Sequence, residues 1–462
     1  MKQEYKQSIY NYIHTDKSGD LLLCNFAKGP RSFCKIHKED KKILEAVFSG
    51  SFEIESKVYN LLIDKGILVH SEEDEYTKVR ALYYDYAYTG NLTIILMPTE
   101  QCNFRCKYCY EKFEKFEMSQ LMQNAVVKFV QKNAHRYPGI TISWFGGEPL
   151  LEIDIVERMM SNIIHVGKQK KIPVISSMTT NAYKLSPDVF DRLYDLNVHE
   201  YQITLDGLAE SHDKQRILQD GTGTFDKIIE NLLFIRDSGK YPKAKIQIRV
   251  NVTRKVLKDL DKFLEFFKNQ FSKDRRFSLF MTVAWSSAQE GGDELELQDQ
   301  YLESDELQQY LIDHGVYGSD INLAGIWNLF VPMGELCYAS RRNSFVIGSD
   351  GKIYKCTVNF DMVENHIGYL KDNGDIYEDD FVHSKWYLDR IDMRKMCKQC
   401  FLFPVCFGAA CPPQTKFVED YECIMATSIK KHIGTYLEYL ANNYNFDVIT
   451  LEKVEDCDGK CE

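Results

Sequence analysis

Six short apolar runs alternate with amphipathic segments through the middle of the chain. The runs predict strands at 91–97, 141–145, 174–179, 201–205, 245–252 and 277–284. A spacing of 3.6 residues between apolar positions predicts helices near 119–135, 151–171, 186–196, 225–238 and 256–271. Successive β/α units require parallel pairing with right-handed crossovers. The pattern therefore predicts an α/β fold with six units, which is two units short of a complete TIM barrel.

A different pattern occupies the first eighty residues. Apolar alternation at 9–14, 21–26 and 32–36 predicts three short strands, and amphipathic patterns at 38–48 and 53–65 predict helices. We expect a separate amino-terminal module.

Length and composition limit the class of protein. The chain has 462 residues, enough for two or three domains with separate cores. Its net charge of −11 argues against a nucleic-acid or anionic-membrane surface, because both attract clustered Lys and Arg. The polar start and the lack of a long apolar run predict a cytoplasmic protein without a membrane span. Fourteen cysteines in such a chain favour metal sites over disulfides.

Three cysteines directly follow the first strand of the middle region. Cys102, Cys106 and Cys109 are spaced C-x3-C-x2-C. An α/β barrel places its chemistry in the loops that follow its strands. Three thiolates this close can hold three irons of a four-iron cluster, which normally takes four cysteines, and they leave one iron open. The spacing therefore predicts an open iron–sulfur site that binds a small-molecule chelate.

A structural zinc knot and a set of buried cysteines are the alternative explanations of this run. Structural zinc sites usually have C-x2-C pairs completed to four ligands. No fourth Cys or His follows within the next twenty residues. The missing ligand favours the open cluster.

The C-x3-C-x-Tyr-C run after a first strand resembles the signature of the radical SAM superfamily. In that family, the amino and carboxylate groups of S-adenosylmethionine (SAM) chelate the open iron of a [4Fe-4S] cluster. The resemblance implies reductive cleavage of SAM to a 5′-deoxyadenosyl radical that abstracts hydrogen from the substrate. It also implies a partial (β/α)6 TIM barrel, whose open side leaves room for a substrate such as a peptide.

Further residues at the ends of the predicted strands match the family's SAM contacts. In the FGGEP motif, Gly146 and Gly147 would let the backbone approach a ligand, and Glu148 would pair with the methionyl amino group. Each motif alone also fits a tight turn, a helix cap or a surface pair. The other expected contacts are Tyr108 and the backbone near Val283 at the adenine, Thr180, Asn181 and Asp206 at the ribose and carboxylate, Arg216 at the carboxylate, and Arg249 after the fifth strand.

A second set of cysteines lies in the carboxyl-terminal half. Its order resembles the SPASM extension of radical SAM enzymes, with one extra residue between Cys406 and Cys411. The resemblance implies two auxiliary [4Fe-4S] clusters and three clusters in all; zinc ribbons are the alternative. The outer cluster would be held by Cys397, Cys400, Cys406 and Cys423, and the inner one by Cys337, Cys356 and Cys411. The tail cysteines Cys457 and Cys461 could complete the inner cluster or remain free.

Two positions distinguish the chain from formylglycine-forming sulfatase maturases, a related group. Those enzymes have an additional inner-cluster cysteine where this chain has Asn343. They also have an aspartate, acting as base, where this chain has Thr357. Both differences count against sulfatase maturation and favour an inner iron that is free to bind a substrate thiolate.

The amino-terminal module resembles the winged, PqqD-like recognition elements of peptide-modifying enzymes. Such elements bind a leader peptide as an added strand at a sheet edge. A small packing domain that supports the barrel is the alternative.

The sequence as a whole predicts a radical SAM/SPASM peptide maturase. Its expected substrate is a ribosomally made, Cys-containing precursor with a leader, and its expected electron donor is of the flavodoxin or ferredoxin type. We expect thioether formation between a cysteine and a carbon of another residue, as in sactipeptide and ranthipeptide synthases. The alternatives are carbon–carbon cross-linking, sulfatase-type maturation and a non-catalytic metal-binding protein. The predicted domains are 1–85 (recognition), 86–285 (barrel), 286–336 (bridge), 337–445 (SPASM) and 446–462 (tail).

Overall fold

The chain forms two compact units. The computed structural model describes residues 4–50, 56–284, 302–316, 325–388, 395–408, 410–417, 423, 425 and 429–451. The terminal unit comprises Met1–Tyr86, Gly325–Cys337 and Asp389–Glu462, and the central unit comprises Ala87–Ala324 and Tyr338–Leu388. The predicted SPASM segment 337–445 is thus divided between the units. Cys457 and Cys461 lie outside the described residues.

The regular elements are numbered in chain order. The strands are β1 Tyr5–Gln7, β2 Asn11–Thr15, β3 Leu21–Asn25, β4 Gly29–Ile36, β5 Leu68–His70, β6 Leu92–Leu96, β7 Phe104–Cys106, β8 Ile140–Trp144, β9 Val174–Thr180, β10 Val198–Thr204, β11 Arg216–Leu218, β12 Lys245–Val252, β13 Phe277–Val283, β14 Ser344–Ile347, β15 Lys352–Tyr354, β16 His366–Leu370, β17 Ile376–Glu378 and β18 Asp447–Ile449. The α-helices are α1 Lys41–Phe48, α2 Ser56–Asp64, α3 Glu75–Tyr88, α4 Gln120–Asn133, α5 Ile153–Lys170, α6 Pro187–Asp195, α7 Ala209–Gln215, α8 Phe225–Asp237, α9 Arg254–Lys258, α10 Leu260–Gln270, α11 Ser304–Asp313, α12 Asp380–Tyr387, α13 Lys395–Lys398, α14 Phe403–Cys406, α15 Pro412–Lys416 and α16 Ile433–Asn443.

The central unit is built on a ten-stranded mixed sheet. Its order is β13-β12-β10-β9-β8-β6-β14-β15-β16-β17. The six strands predicted from the sequence pair in parallel and are separated along the chain by helices. The predicted α/β fold is therefore confirmed, and the partial barrel stays a prediction.

One predicted helix is interrupted. The pattern at 256–271 predicts a single helix, but α9 ends at Lys258 and α10 begins at Leu260, because Asp259 leaves the helical conformation at φ −116° and ψ 13°. Val256, Leu260 and Phe263 remain on one buried face. The apolar spacing therefore continues across the break, which hides it from the sequence.

The sheet continues beyond β6 through a part of the chain that the strand pattern did not predict. β14 pairs in parallel with β6, and β15, β16 and β17 follow as an antiparallel meander. Asn343 fixes this junction, because its Nδ2 donates to the carbonyls of Thr89 (3.2 Å), Gly90 (3.1 Å) and Asn91 (2.5 Å). The segment that carries Asn343 is thereby part of the central sheet.

The terminal unit contains a four-stranded sheet in the order β18-β4-β3-β2. The three amino-terminal strands were predicted, and β18, which pairs in parallel with β4, was not. Lys65, 4% exposed, donates to the carbonyls of Arg31 (3.3 Å) and Phe33 (3.2 Å) and to the carboxylate of Asp447 (2.5 Å). One edge of this sheet is therefore occupied by the chain itself. The PqqD-like character of the module stays a prediction.

Among the described residues, no helix combines the length and the apolar character needed to cross a membrane.

Candidate active site

A cavity of about 420 Å³ opens at the carboxyl ends of the parallel strands of the central unit. Its wall includes a residue at or near the end of each of five strands: Ile95, Trp144, Thr180, Thr204 and Asn251. The cysteine loop forms another part of the wall through Cys102, Cys106 and Cys109. Parallel strands thus bring residues far apart in sequence to one cavity, as the strand pattern predicts. We call it the active-site cavity.

The cysteine loop is held by backbone contacts. β7 pairs with β11, so that Cys106 lies opposite Arg216. The amide of Phe104 donates to the Sγ of Cys102 at 3.4 Å, and the amide of Cys109 donates to the carbonyl of Cys106 at 3.1 Å. Burial raises the pKa of the Cys102 thiol to about 12. A bound metal would therefore have to displace a proton from this thiol.

The cysteine thiols are not grouped as closely as the ligands of a bound metal ion. Within the described residues, the one set of three or more Cys, His, Asp or Glu side chains with ligand atoms within 4.8 Å of one another is Asp20, His37 and Glu39. The choice between zinc and an iron–sulfur cluster therefore rests on the number and order of the cysteines and stays a prediction.

The two glycines of the FGGEP motif allow close packing against the cysteine loop. A Cβ on Gly147 would lie 2.3 Å from the carbonyl oxygen of Gln101 and 2.4 Å from that of Glu100. Gly146 has φ +103°, and a Cβ there would lie 2.5 Å from the carbonyl oxygen of Thr99. Both glycines also line the active-site cavity. The atoms nearest to both added Cβ positions are thus backbone atoms of the residues before Cys102. The sequence predicted that these glycines approach a ligand, and it did not predict this packing.

Glu148 links three loops of the site and is fully buried. Its amide donates to the carbonyl of Gln101 at 2.9 Å. Its carboxylate accepts from the hydroxyl of Thr180 (2.6 Å) and from the amides of Asn181 (2.7 Å) and Leu150 (3.0 Å). Burial raises the pKa of Glu148, and these donors oppose the shift. Two carboxylate oxygens offer about four acceptor positions, so one remains beyond these three bonds.

A buried polar network surrounds the hydroxyl of Tyr108. The hydroxyl donates to Asp206 and accepts from Nη1 of Arg216 at 2.8 Å and from Nδ2 of Asn251 at 3.1 Å. The amide of Asn251 donates to the other oxygen of Asp206 at 2.8 Å. Burial raises the pKa of Asp206, and the charge of Arg216 opposes the shift. The network fixes the orientation of the Arg216 guanidinium.

Arg216 brings a guanidinium to the cavity. Its side chain lines the wall and is 8% exposed. Its Nε is buried and has no hydrogen-bond partner among the described residues. A guanidinium at the wall pairs favourably with an anionic ligand, so the arrangement fits the carboxylate of an amino-acid-like ligand such as SAM.

His212 supports the same region from behind. Its Nδ1 accepts from the amide of Asp206 at 3.2 Å, which places the ring proton on Nε2, 3.0 Å from the hydroxyl of Thr224. Burial lowers the pKa of His212 well below its usual value, and the charge of Arg216 lowers it further. His212 is thus a neutral positioning residue.

The structure brings most of the predicted SAM contacts to one cavity. Tyr108, Gly146, Gly147, Thr180, Asn181, Arg216 and Arg249 line it. Glu148 and Asp206 do not line the cavity, but they form hydrogen bonds with residues that do. Ala284 lines the cavity, whereas Val283 does not. The role of each residue toward SAM stays a prediction.

Several wall residues were not found from the sequence. Tyr110, Glu111 and Tyr338 line the active-site cavity. Burial and the negative charge of Glu100 raise the pKa of Glu111 to about 8, and its buried Oε1 has no hydrogen-bond partner among the described residues. Glu111 follows the cysteine motif by two residues, but position alone did not distinguish it from its solvent-exposed neighbours.

The loop after Cys356 forms a further part of the wall. Thr357 and Val358 line the cavity, and the amide of Val358 donates to the Sγ of Cys356 at 3.4 Å. Asn365 holds the turn by accepting from the amides of Lys355 (2.9 Å) and Cys356 (2.7 Å). Its Nδ2 donates to the carbonyls of Cys356 and Asn359, both at 2.9 Å. Cys356 is therefore held in an ordered turn.

Four cysteines of the terminal unit converge on a second, smaller cavity of about 80 Å³. Cys397, Cys400, Cys406 and Cys423 line it together with apolar side chains. Burial raises the pKa of the Cys406 thiol, and the other three cysteines add to the shift. These are the four residues predicted for the outer cluster, and their donor set fits a [4Fe-4S] cluster.

The cysteines predicted for the inner cluster are divided between the two units. Cys356 belongs to the central unit, and Cys337 and Cys411 belong to the terminal unit. Their assembly into one site stays a prediction.

Comparison with known proteins identifies part of the chain. Residues 96–267 match the model of the radical SAM superfamily. This segment contains the cysteine loop, the FGGEP motif and the buried network around Tyr108. The chain therefore contains a radical SAM domain.

Two curated proteins are similar to this chain in sequence. The chain is 24% identical over 352 residues to a "Cysteine-type anaerobic sulfatase-maturating enzyme" of Clostridium novyi (strain NT), covering 68% of this chain and 87% of that protein. It is 23% identical over 269 residues to "Radical SAM cyclopropyl synthase TigE" of Paramaledivibacter caminithermalis (strain DSM 15212 / CIP 107654 / DViRD3), covering 50% of this chain and 55% of that protein.

A solved structure shares the fold. Native anSMEcpe with bound AdoMet and Kp18Cys peptide superposes with a TM-score of 0.59 at 19% identity, covering 76% of this chain and 99% of that chain. The first of these relatives is thus named as a sulfatase-maturating enzyme, and the solved structure contains AdoMet and a peptide.

Proposed function

We propose that this chain is a radical SAM maturase that forms thioether cross-links in a ribosomally made precursor peptide. Each cross-link joins a cysteine sulfur to a carbon of another residue and removes two hydrogens from the peptide. The observation that carries the proposal is the shared wall of the active-site cavity. Cys102, Cys106 and Cys109 form one part of it, and Thr357 and Val358, which directly follow Cys356, form another.

The proposal assigns three [4Fe-4S] clusters to the predicted cysteine sets. When bound at Cys102, Cys106 and Cys109, the first cluster and SAM supply the 5′-deoxyadenosyl radical. A flavodoxin- or ferredoxin-type protein provides the electron. The auxiliary clusters are assigned to Cys397, Cys400, Cys406 and Cys423, and to Cys337, Cys356 and Cys411.

The protein's own residues position SAM and exclude water from it. The guanidinium of Arg216 receives the carboxylate of SAM, while Tyr108 and Asp206 hold it in place. Glu148 is buried behind the wall and holds Thr180 and Asn181, which line the cavity. Aromatic side chains at Phe104 and Tyr110 cover the cavity wall and restrict solvent access.

The chemistry at two positions favours thioether formation over formylglycine formation. Asn343 stands where the sulfatase maturases have a further cysteine, and its amide is occupied by three backbone carbonyls. Thr357 stands where those enzymes have an aspartate base, and its hydroxyl lies 2.9 Å from that of Tyr338. The inner cluster then has an iron free for a substrate thiolate, and position 357 provides no carboxylate.

A cross-linking assay tests the proposal. The reconstituted enzyme is incubated with SAM, dithionite and a short Cys-rich precursor peptide that carries a leader. We expect a loss of two hydrogens per cross-link, formation of 5′-deoxyadenosine and protection of the cross-linked cysteine from alkylation. Intact clusters with SAM cleavage but unchanged peptides would contradict the proposal. A two-hydrogen loss with the cysteine still alkylated would instead indicate a carbon–carbon cross-link.

Sulfatase-type maturation is the second candidate, because the Clostridium novyi relative covers 68% of the chain. A cysteine peptide with a sulfatase sequence then gains an aldehyde, which a hydrazide probe detects. Aldehyde formation without a thioether product would favour this candidate.

A further inference from the structure

One face of the central sheet is polar along its strands. In β8, Ile140 and Ile142 are buried in the core, whereas Thr141 and Ser143 are only partly buried on the other face. The same alternation continues in β9, β10 and β12. We call this the polar face; its partly buried side chains are Thr141, Ser143, Ser177, Thr179, Gln202 and Gln247.

A second cavity lies on the polar face. It has a volume of about 530 Å³ and includes Thr141, Ser177 and Glu200 in its wall. The active-site cavity includes Ser143, Thr179 and Gln202, each two residues further along the same strand. Side chains two apart in a strand point to the same face, so both cavities open on one side of the sheet.

The two cavities adjoin each other. Ser143 of the active-site cavity lies opposite Ser177 of the second cavity, and their hydroxyls are 2.5 Å apart. Beside them, Nε2 of Gln202 donates to Oε1 of Gln247 at 2.8 Å. Two residues advance a strand by about 6.6 Å, which is the spacing between successive side chains on one face. The wall residues of the two cavities are therefore separated by only one such spacing along each strand.

The composition of this lining suits a peptide. The interior of a packed barrel is filled mainly by Val, Ile and Leu. Here hydroxyl and amide groups, which both donate and accept hydrogen bonds, take their place. Such groups match the alternating N–H and C=O groups of an extended backbone. A ligand of the size of SAM fits the active-site cavity alone and leaves the second cavity for another occupant.

The far end of the second cavity carries unpaired positive charge. Lys245 forms an ion pair with Glu200 at 2.6 Å, and Arg276 forms an ion pair with Asp274 on the same loop. Lys243 and Arg275 also line the cavity, and neither side chain forms an ion pair within the described part of the chain. Two unpaired cations favour a carboxylate on the ligand at this end.

We propose that an extended segment of the peptide substrate lies along the polar face, from the active-site cavity into the second cavity. An acidic side chain or the terminal carboxylate of this segment contacts Lys243 and Arg275. The inference rests on the proposed function, since it requires a peptide substrate. It adds a substrate path and a charge preference to that function.

Charge reversal at the far end tests the path. In Lys243→Glu/Arg275→Glu, we expect KM for the precursor identified in the cross-linking assay to rise about tenfold or more, because two attractive contacts become repulsive. Formation of 5′-deoxyadenosine without peptide should stay at the wild-type rate, since neither residue lines the active-site cavity. The matched control Lys255→Glu/Lys258→Glu changes the net charge equally on exposed positions of α9, and its KM should stay unchanged.

Obstruction of the second cavity provides an independent test. Ile175 lines this cavity and is 53% exposed. Ile175→Trp therefore adds a large side chain to the cavity without overpacking the buried core. We expect cross-linking to fall at least about tenfold, with peptide-free SAM cleavage retained. Leu121→Trp, at a 54% exposed position of α4, is the control.

The outcomes separate this inference from the proposed function. If the wild-type enzyme cleaves SAM but modifies no peptide, the proposed function fails. If the wild type cross-links the peptide and both the charge-reversal and Ile175→Trp variants do so with unchanged KM, the function stands and the path along the polar face is wrong.

Discussion

Gly147→Ala should disrupt the cysteine loop through a steric contact alone. The new Cβ would lie 2.3 Å from the carbonyl oxygen of Gln101 and 2.6 Å from its carbonyl carbon. Gly147 does not have a left-handed φ, so alanine adds no backbone strain of its own. The whole effect is therefore a steric contact with the residue that precedes Cys102.

The magnitude follows from the contact distance. The substitution must open a contact of 2.3 Å to at least 3.0 Å, and the atoms in the way are backbone. The Gln101 segment must therefore move by about 0.7 Å, at a cost of about 1–3 kcal/mol by analogy with overpacked cores. A displacement near 1 Å in a reacting geometry costs about 100-fold in rate. We expect a loss of about 10- to 100-fold in SAM cleavage.

Two measurements test the expected effect of Gly147→Ala on the cluster and on SAM cleavage. Iron and sulfide are counted after anaerobic reconstitution, and 5′-deoxyadenosine is quantified under dithionite. Gly348→Ala is the matched control, because its Cβ meets the flexible carboxylate of Asp350 at 2.9 Å rather than backbone. If Gly147→Ala cleaves SAM at the wild-type rate, the packing of the FGGEP motif against the cysteine loop is not what positions the site.

Three further substitutions test separate parts of the site. Arg216→Lys replaces the planar guanidinium with a single ammonium group and should weaken SAM binding about 10- to 100-fold, measured by calorimetry, because a charged hydrogen bond contributes about 1.5–3 kcal/mol; unchanged affinity would refute the carboxylate contact. The lowered pKa of His212 means that the unfolded state binds more protons, so the wild type should lose up to about 1.4 kcal/mol of stability per pH unit below about pH 6.5. His212→Gln should flatten that slope in urea titrations between pH 7.0 and about 5.5, and equal slopes would contradict it. Asn365→Ala removes four hydrogen bonds around Cys356 and should lower the free energy of unfolding by about 2–4 kcal/mol in denaturant titrations; a change below about 0.5 kcal/mol would show that the turn does not depend on them.

Local patterns predicted the parallel strands of the central sheet because one face of each strand is apolar. In β8, buried Ile140 and Ile142 alternate with Thr141 and Ser143, a period that the sequence shows directly. The continuation through β14 was missed for a physical reason. That strand has four residues, all buried, and it is placed by pairing with β6 and by the side chain of Asn343. Short strands of this kind depend on non-local contacts, which a window of sequence does not contain.

The same distinction applies to the terminal unit. β2, β3 and β4 form a local meander and were predicted, whereas β18 joins β4 from more than 400 residues away. Nothing in the sequence distinguishes Lys65 from a surface lysine. In the structure its side chain is buried and donates to three acceptors. Its role follows from the carbonyls exposed at the edge of β4, which only the folded sheet defines.

Motif residues and wall residues of the site differ in the same way. Cys102 and Glu148 were predicted because fixed spacing within a short run identifies them. Glu111 and Tyr338 were not, because their position depends on where the cysteine loop and the segment before β14 fold in the central unit. The sequence thus identified groups with strong chemical signatures, and the structure added those that shape the cavity around them.

Asn343 shows why a departure from a family pattern needs a structure to be interpreted. From the sequence it is a missing ligand, which a substitution to cysteine would restore. In the folded chain its Nδ2 closes the loop at Thr89–Asn91, and its carbonyl accepts from the amide of Thr93 at 2.9 Å. A cysteine would forfeit the side-chain bonds, each contributing about 0.5–1.5 kcal/mol. The departure is thus integrated into the sheet junction, so Asn343 has a structural role that the family pattern alone does not reveal.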